Sequence, residues 1–154
     1  GTVTAGNASS INDGAAAVTM MSAAAAERSG VKPLARLVGE SLAAVDPKYM
    51  GIGPVPAISR LLEKTGVNAD DVDVWEINEA FAAQALAVVK DLELDPSRVN
   101  PNGSGVSLGH PIGATGANLT VKALAELQRT GGRYGVISMC IGGGQGIAAL
   151  IERV

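Results

Sequence analysis

The stretch from Tyr134 to Ile151, YGVISMCIGGGQGIAALI, decides how the fold is read. Tyr134 to Cys140 and Gly146 to Ile151 are short apolar runs, and each predicts a strand. Only Ile141-Gly142-Gly143-Gly144-Gln145 joins them, so the two strands are expected as antiparallel neighbours. Just upstream, Ile112 to Thr130 places Leu119, Ala123 and Leu127 at spacings of four and stops at Gly131-Gly132. That pattern predicts a helix leading into the first of the two strands.

The same alternation continues toward the N-terminus. Asp71 to Ile77 predicts a strand, and Glu79 to Lys90, largely Ala, Leu and Val on one side, predicts a helix. Pro54 to Thr65 has Pro near its start, apolar residues at Val55, Ile58, Leu61 and Leu62, and Gly66 just past its end, which predicts an amphipathic helix. Leu34 to Val45 predicts a strand with Pro47 beyond it. Ala23 to Ser29 predicts a short helix closed by Gly30. Ala15 to Ser22, a small apolar run after the turn signal Asn12-Asp13-Gly14, predicts a further buried strand. Val99 to Pro111 is a Gly, Asn and Pro loop around at most a short strand. The expected architecture is a single α/β domain over residues 1–154: three layers, with helices on both faces of a five-stranded mixed sheet.

Composition narrows the function classes. Of 154 residues, 20 are Gly and only four are aromatic, Tyr49, Trp75, Phe81 and Tyr134, so the core must come from close backbones and small side chains. At 47% hydrophobic and 18% charged the chain is too apolar for disorder, and no apolar run approaches the roughly 18 residues of a membrane span. A net charge of −3 gives no clustered cations for a nucleic acid. One Cys excludes an internal disulfide framework, and one Cys with one His makes no metal site without carboxylates at suitable spacing, so no metal is expected. A reducing, cytoplasmic setting is the natural expectation. The chain opens on Gly1-Thr2-Val3-Thr4 without Met or a basic leader, and is expected to begin mid-protein.

The only His and the only Cys both stand in glycine-rich joints. His110 lies in Leu108-Gly109-His110-Pro111-Ile112-Gly113-Ala114-Thr115-Gly116, ahead of the long helix, where free N–H groups disfavour an imidazolium. A neutral His there can donate to an oxyanion or serve as base for a thiol. A turn His satisfied by backbone explains the position equally well taken alone. Cys140 ends a strand and meets Gly142-Gly143-Gly144, where a ligand can approach closely; an inert buried Cys is the plain alternative. Asn78, in Glu76-Ile77-Asn78-Glu79-Ala80-Phe81, falls with Cys140 at the carboxyl ends of strands, where active sites of open α/β sheets gather; capping a helix would also account for it. Gly144-Gln145-Gly146-Ile147-Ala148-Ala149 has the form of a dinucleotide fingerprint. However, only eight residues follow Gly146, leaving no room for the helix, strand and acidic residue the fingerprint needs.

Together, Asn78-Glu79-Ala80-Phe81, Gly109-His110-Pro111 with its glycine tail, and Cys140-Ile141-Gly142-Gly143-Gly144 resemble the three C-terminal active-site motifs of the thiolases. Ala5-Gly6-Asn7-Ala8-Ser9 with Asn12-Asp13-Gly14 resembles that family's coenzyme A-contacting segment. The resemblance runs from Gly1 to Val154 in order and spacing, and in Met50-Gly51-Ile52-Gly53-Pro54 the chain is most similar to the acetyl-CoA acetyltransferases. Ketoacyl synthases carry two histidines and no such cysteine.

The resemblance implies the C-terminal half of a duplicated fold and a ping-pong Claisen condensation of two acetyl-CoA to acetoacetyl-CoA, or the reverse thiolysis. It implies Cys140 as the acid/base at the α-carbon. His110 would activate a nucleophilic cysteine and, with a water held by Asn78, stabilise the enolate; the Gly142 amide would serve a second oxyanion hole. Ala5, Ser9, Met50, Ala80 and Phe81 would line the pantetheine channel. Coenzyme A thioesters are implied as substrates with no resident cofactor, and a homodimer or homotetramer as the assembly.

Ser10 and Ser104 stand where the family usually has Gly, and the acylated cysteine belongs to an N-terminal half that this sequence lacks, so the chain alone is expected to be inactive. The alternatives are a broader-chain 3-ketoacyl-CoA thiolase, a non-catalytic acyl-CoA-binding or structural module, and a Cys–His hydrolase. Retention of Asn78, His110 and Cys140 together argues against the module, and the absence of cysteine-protease signatures argues against the hydrolase.

Overall fold

A computed structural model describes residues 1–154. Four strands, β1 (Ala35–Ala44), β2 (Val72–Ile77), β3 (Tyr134–Ile141) and β4 (Gln145–Arg153), form one sheet in the order β1-β4-β3-β2. β3 and β4 form the expected antiparallel hairpin with Cys140 opposite Gly146, β1 runs antiparallel to β4, and β2 runs parallel to β3. The sheet is therefore mixed. It has four strands rather than five, because Ala15–Ser22 forms none. That run is irregular and almost wholly exposed, with Met20 70% accessible. Its mostly small side chains bury too little area to offset the cost of ordering backbone.

The helices are α1 (Ala23–Arg28), α2 (Pro54–Thr65), α3 (Ala82–Asp91), α4 (Gly105–Leu108) and α5 (Thr115–Thr130), with a 3-10 segment at Pro47–Ile52. α2 occupies the residues its pattern predicts, from Pro54 to the left-handed Gly66 that ends it. On one sheet face it packs Ala57, Ile58 and Leu61 against Trp75, Ile77, Val136 and Leu150. On the other, α5 packs Leu119, Ala123 and Leu127 against Val74, Ile137 and Ile151. Each such Leu or Ile, fully buried, contributes about 1.5 to 3 kcal/mol.

Three boundaries differ from expectation, all beside the carboxyl ends of β2 and β3. α3 begins at Ala82 rather than Glu79, since residues 78–81 are tied to the N-terminal segment, with Phe81 extended: Ser9 N–H donates to the Ala80 carbonyl at 2.9 Å and Ala82 N–H to the Asn7 carbonyl at 2.9 Å. The predicted loop 99–111 contains α4, where Ser104 N–H donates to the Ser107 hydroxyl. α5 begins at Thr115 rather than Ile112, after a turn closed by Ala114 N–H to the Pro111 carbonyl at 2.8 Å. Glycine is required where the hairpin meets the 3-10 segment: a Cβ on Gly146 would overlap the Gly53 carbonyl, and one on Gly144 would overlap that of Val45.

Candidate active site

Because β2 and β3 are parallel, their carboxyl ends share one edge of the sheet, and Asn78 and Cys140 arrive there together. Asn78 N–H donates to the Ser138 carbonyl at 2.9 Å, two residues before Cys140. The first turn of α5 reaches the same edge, since a Cβ on Gly116 would lie 3.3 Å from Met139 Cε. That turn brings His110, whose Nδ1 stands 2.7 Å from the Thr115 hydroxyl.

Asn78 caps no helix: α3 starts after Phe81. Its side chain is 1% exposed, and both Oδ1 and Nδ2 are without a partner in the chain. A buried amide with every bond unmade is costly, so groups of this kind are found where a ligand or water completes them. The residue before it is held hard. Ile77 N–H donates to Asn100 Oδ1 at 2.8 Å, Asn100 Nδ2 donates back to the Ile77 carbonyl at 2.8 Å, and the Ser104 hydroxyl donates to the same carbonyl at 3.2 Å. Asn100 Nδ2 also reaches Glu79 Oε1 at 3.1 Å, from a residue with φ +47°. Ser104 is thus a buried tie to the strand bearing Asn78.

His110 is half-buried, and that burial lowers its pKa, so at neutral pH it is uncharged. Burial rather than the helix end is the cause. With the Thr115 hydroxyl donating to the Pro111 carbonyl at 2.9 Å, one of its lone pairs is free to accept a proton from His110 Nδ1, and that tautomer leaves Nε2 as an acceptor. A rotated hydroxyl serves the opposite tautomer. Asn12 Oδ1 accepts from His110 N–H at 3.0 Å, and Ile11 bridges to His110, fixing the backbone. Burial raises the Cys140 thiol pKa, so the group is protonated at neutral pH.

The remaining expected residues gather around this edge. Gly142 lies in the exposed hairpin turn directly after β3. Ala8 bridges to Phe81, which sets Ser9 beside buried Ala80 and half-buried Phe81, while Ala5 is exposed. Met50 is half-buried in the 3-10 segment, whose Gly51 lies against Gln84 of α3. A cleft of about 600 Å³ opens between residues 12–17 and the start of α5, with Asn78, Ser104, Thr115 and Lys122 in its wall. His110 and Cys140 stand outside that wall. No group of three or more His, Cys, Asp or Glu side chains is placed to hold a metal ion, and no helix is long and apolar enough to cross a membrane.

The sequence alone singles out neither Thr115, Asn100 nor Lys122, and it marks Asn12 only as part of a turn and of the coenzyme A-contacting segment, not as a partner of His110. Thr115 sits inside the quoted glycine tail of His110, at the first helical position, and that was the available signal. Asn100 and Lys122 act across 23 and 46 residues of sequence, which no local pattern reveals.

The family model described as "Thiolase, C-terminal domain" matches residues 31–153. A curated relative, "Beta-ketothiolase BktB" of Cupriavidus necator, is 69% identical over 100% of this chain and 39% of its own length. The crystal structure of the Bacillus anthracis acetyl-CoA acetyltransferase superposes with a TM-score of 0.97 at 58% identity, covering 99% of this chain and 39% of that one. Human mitochondrial 3-ketoacyl-CoA thiolase, solved in complex with CoA, superposes at 0.92 with 46% identity and the same coverage. The chain thus spans about two-fifths of the length of the relatives it matches.

Proposed function

The chain belongs to the thiolase family, whose C-terminal domain it matches, and from that premise we propose that it supplies the acid/base and enolate-binding half of a condensing acyltransferase acting on coenzyme A thioesters. The observation that supports this best is the meeting of a buried, unpartnered Asn78 amide, a neutral His110 and a protonated Cys140 at one edge of the sheet. Each has the protonation state the chemistry needs.

In the first half-reaction an acyl-accepting thiol from outside this chain, which has only Cys140, gives its proton to His110 Nε2 and attacks the thioester. The Cys140 thiol passes its proton to the departing CoA sulfur and becomes a thiolate. Poor solvation, the cause of its raised pKa, makes that thiolate a strong base. In the second half-reaction it takes the α-proton of acetyl-CoA, restoring the thiol. The enolate oxygen is held by His110, now a donor, and by a water on Asn78; the Gly142 amide faces the oxyanion of the acyl-enzyme. Attack on the acyl-enzyme releases the nucleophilic thiolate, which recovers its proton from His110, so protons balance over the cycle. Ser9, Met50, Ala80 and Phe81, with Ala5 at the mouth, are assigned to the pantetheine arm.

We assign acetyl as the acyl group, giving acetoacetyl-CoA, on the Met50-Gly51-Ile52-Gly53-Pro54 stretch; a longer 3-ketoacyl chain is the second reading, favoured by the 69% identity to a beta-ketothiolase. Relative kcat/KM on acetoacetyl-CoA and on a longer 3-ketoacyl-CoA separates the two. The mechanism is tested in the protein joined to its acyl-accepting half. Cys140→Ala should leave acylation detectable and lower condensation by about a hundredfold to ten-thousandfold, and condensation that survives the substitution would overturn the assignment.

A further inference from the structure

We propose that Lys122 is a positioning residue for Asn78: its ammonium, held between the Glu76 carboxylate and the Gly103 carbonyl, locks the end of β2 to the 100–104 loop and so aims the Asn78 amide into the cleft. The kinetic part of this proposal rests on the function assigned above; the geometric part does not.

Side chains alternate along β2. Val74 packs under α5, so Glu76 and Asn78 lie on the same face. The Glu76 carboxylate is completely buried there, and Lys122 Nζ, from a side chain 19% exposed, meets its Oε2 at 2.5 Å. A buried ion pair is a poor source of stability, since an apolar pair of similar volume would fill the space at least as well. What an apolar pair could not do is bridge. Lys122 Nζ also donates to the Gly103 carbonyl, which puts one cation between the strand below and the loop above. One turn further along α5, Glu126 accepts from Asn102 Nδ2 at 2.9 Å, so the helix grips this loop at two successive points.

The loop passes the constraint on. Asn100 occupies both backbone groups of Ile77, Ser104 adds a second bond to its carbonyl, and Gly105 lies so near that a Cβ would stand 3.1 Å from Asn78 Oδ1. Asn78 itself makes no side-chain bond that could orient it. Its aim is set by backbone placement on one side and by this loop on the other; Glu79 also ties to the loop through Asn100, but Lys122 alone joins strand, loop and α5 at one charged group. A displacement of about an ångström in such a group is enough to cost up to a hundredfold in rate.

The test uses the protein joined to its acyl-accepting half. Lys122→Met keeps the length of the side chain and removes both bonds, and Glu76→Gln/Lys122→Met also removes the stranded buried charge. Both should lower condensation kcat about tenfold or more while leaving the rate of acylation and the KM for acetyl-CoA within about twofold of wild type. The double variant should recover the Tm lost by the single one without recovering kcat. A double variant with wild-type kcat, or with acylation reduced in proportion, would overturn the proposal. Crystal structures of wild type and double variant supply a reading independent of turnover: the Asn78 amide should be rotated or displaced in the variant, and an unmoved amide also overturns it. Should the wild-type protein neither acylate nor condense, the functional assignment fails, and the crystal structures alone decide the positioning role.

Discussion

The two faces of the sheet are built on different terms. Under α2 lies a cluster of twelve buried apolar residues, with Trp75 and Leu150 among its largest members. Under α5 the apolar cluster has six, and the rest of that layer carries Glu76 and Asn78 from the strand, with Lys122 and Glu126 on the helix. Asn78 comes from the α5 face, while Cys140, in line with Val136 and Ser138 along β3, comes from the side of α2 and the 3-10 segment. The proposed site therefore draws on both faces at one end of the sheet, a more apolar one under α2 and a more charged one under α5. Charge is costly to bury unless it is paired, so Glu76 with Lys122 and Glu126 with Arg129 and Asn102 hold the α5 face together at a cost that apolar packing would avoid.

The sharpest test of that division compares two leucines. Leu61 on α2 is fully buried in the large cluster, and Leu61→Ala should destabilise by about 3 to 5 kcal/mol, as deletions that leave an unrelaxed cavity do. Leu119 on α5 is 3% exposed but borders the cleft, so its void can open to solvent, and Leu119→Ala should cost about 2 kcal/mol. Chemical denaturation of both variants measures the gap. Equal losses would mean that the two faces carry stability alike.

A smaller effect separates placement from stability on the α5 side. Thr115 is 3% exposed and its hydroxyl is the partner of His110 Nδ1. Thr115→Val keeps the shape and removes the hydroxyl, which should cost about 1 kcal/mol of stability and about tenfold in both half-reactions. Thr115→Ser should keep both near wild type. Loss of stability with unchanged turnover would show the hydroxyl to be a helix-start bond and nothing more.

How much of this was legible in the sequence follows the same division. The more apolar face could be read locally: the period of α2, its Pro and Gly ends, and the apolar runs of β3 and β4 all lie within a few residues of the features they explain. Near the site, local pattern gave way to contacts from afar. Glu79 to Phe81 has helical composition, yet backbone bonds with Asn7 and Ser9 keep it out of the helix; Ala15 to Ser22 has strand composition, yet nothing in the chain covers it. Asn78, His110 and Cys140 could be found because each interrupts an apolar or glycine-rich stretch with a reactive group. Asn100 and Lys122 could not, since each looks locally like an ordinary turn or helix residue and acts only through its distant partner; Thr115 is hidden differently, as a helix-start residue whose partner His110 is only five positions away.

The smallest predicted effect probes the outer end of the charged face. Glu126 is 6% exposed, accepts from Arg129 Nε at 2.9 Å and Nη2 at 2.6 Å, and from Asn102 at 2.9 Å; the hydrogen bonds from Arg129 and then Asn102 pull its pKa down to about 2. A carboxylate with a depressed folded-state pKa stabilises the native state above its unfolded value, here 4.5, and that contribution fades as pH falls toward 2. Arg129 is largely exposed, so solvent screens the pair, and Glu126→Gln should cost about 1 kcal/mol at pH 7 rather than the full amount the shift implies. The difference in unfolding free energy between wild type and variant should shrink between pH 4.5 and 2. A gap that persists at low pH would place the role of Glu126 in the geometry of its bond to Asn102 rather than in its charge. The α5 face would then hold its loop by shape, and Lys122 would be its only essential charge.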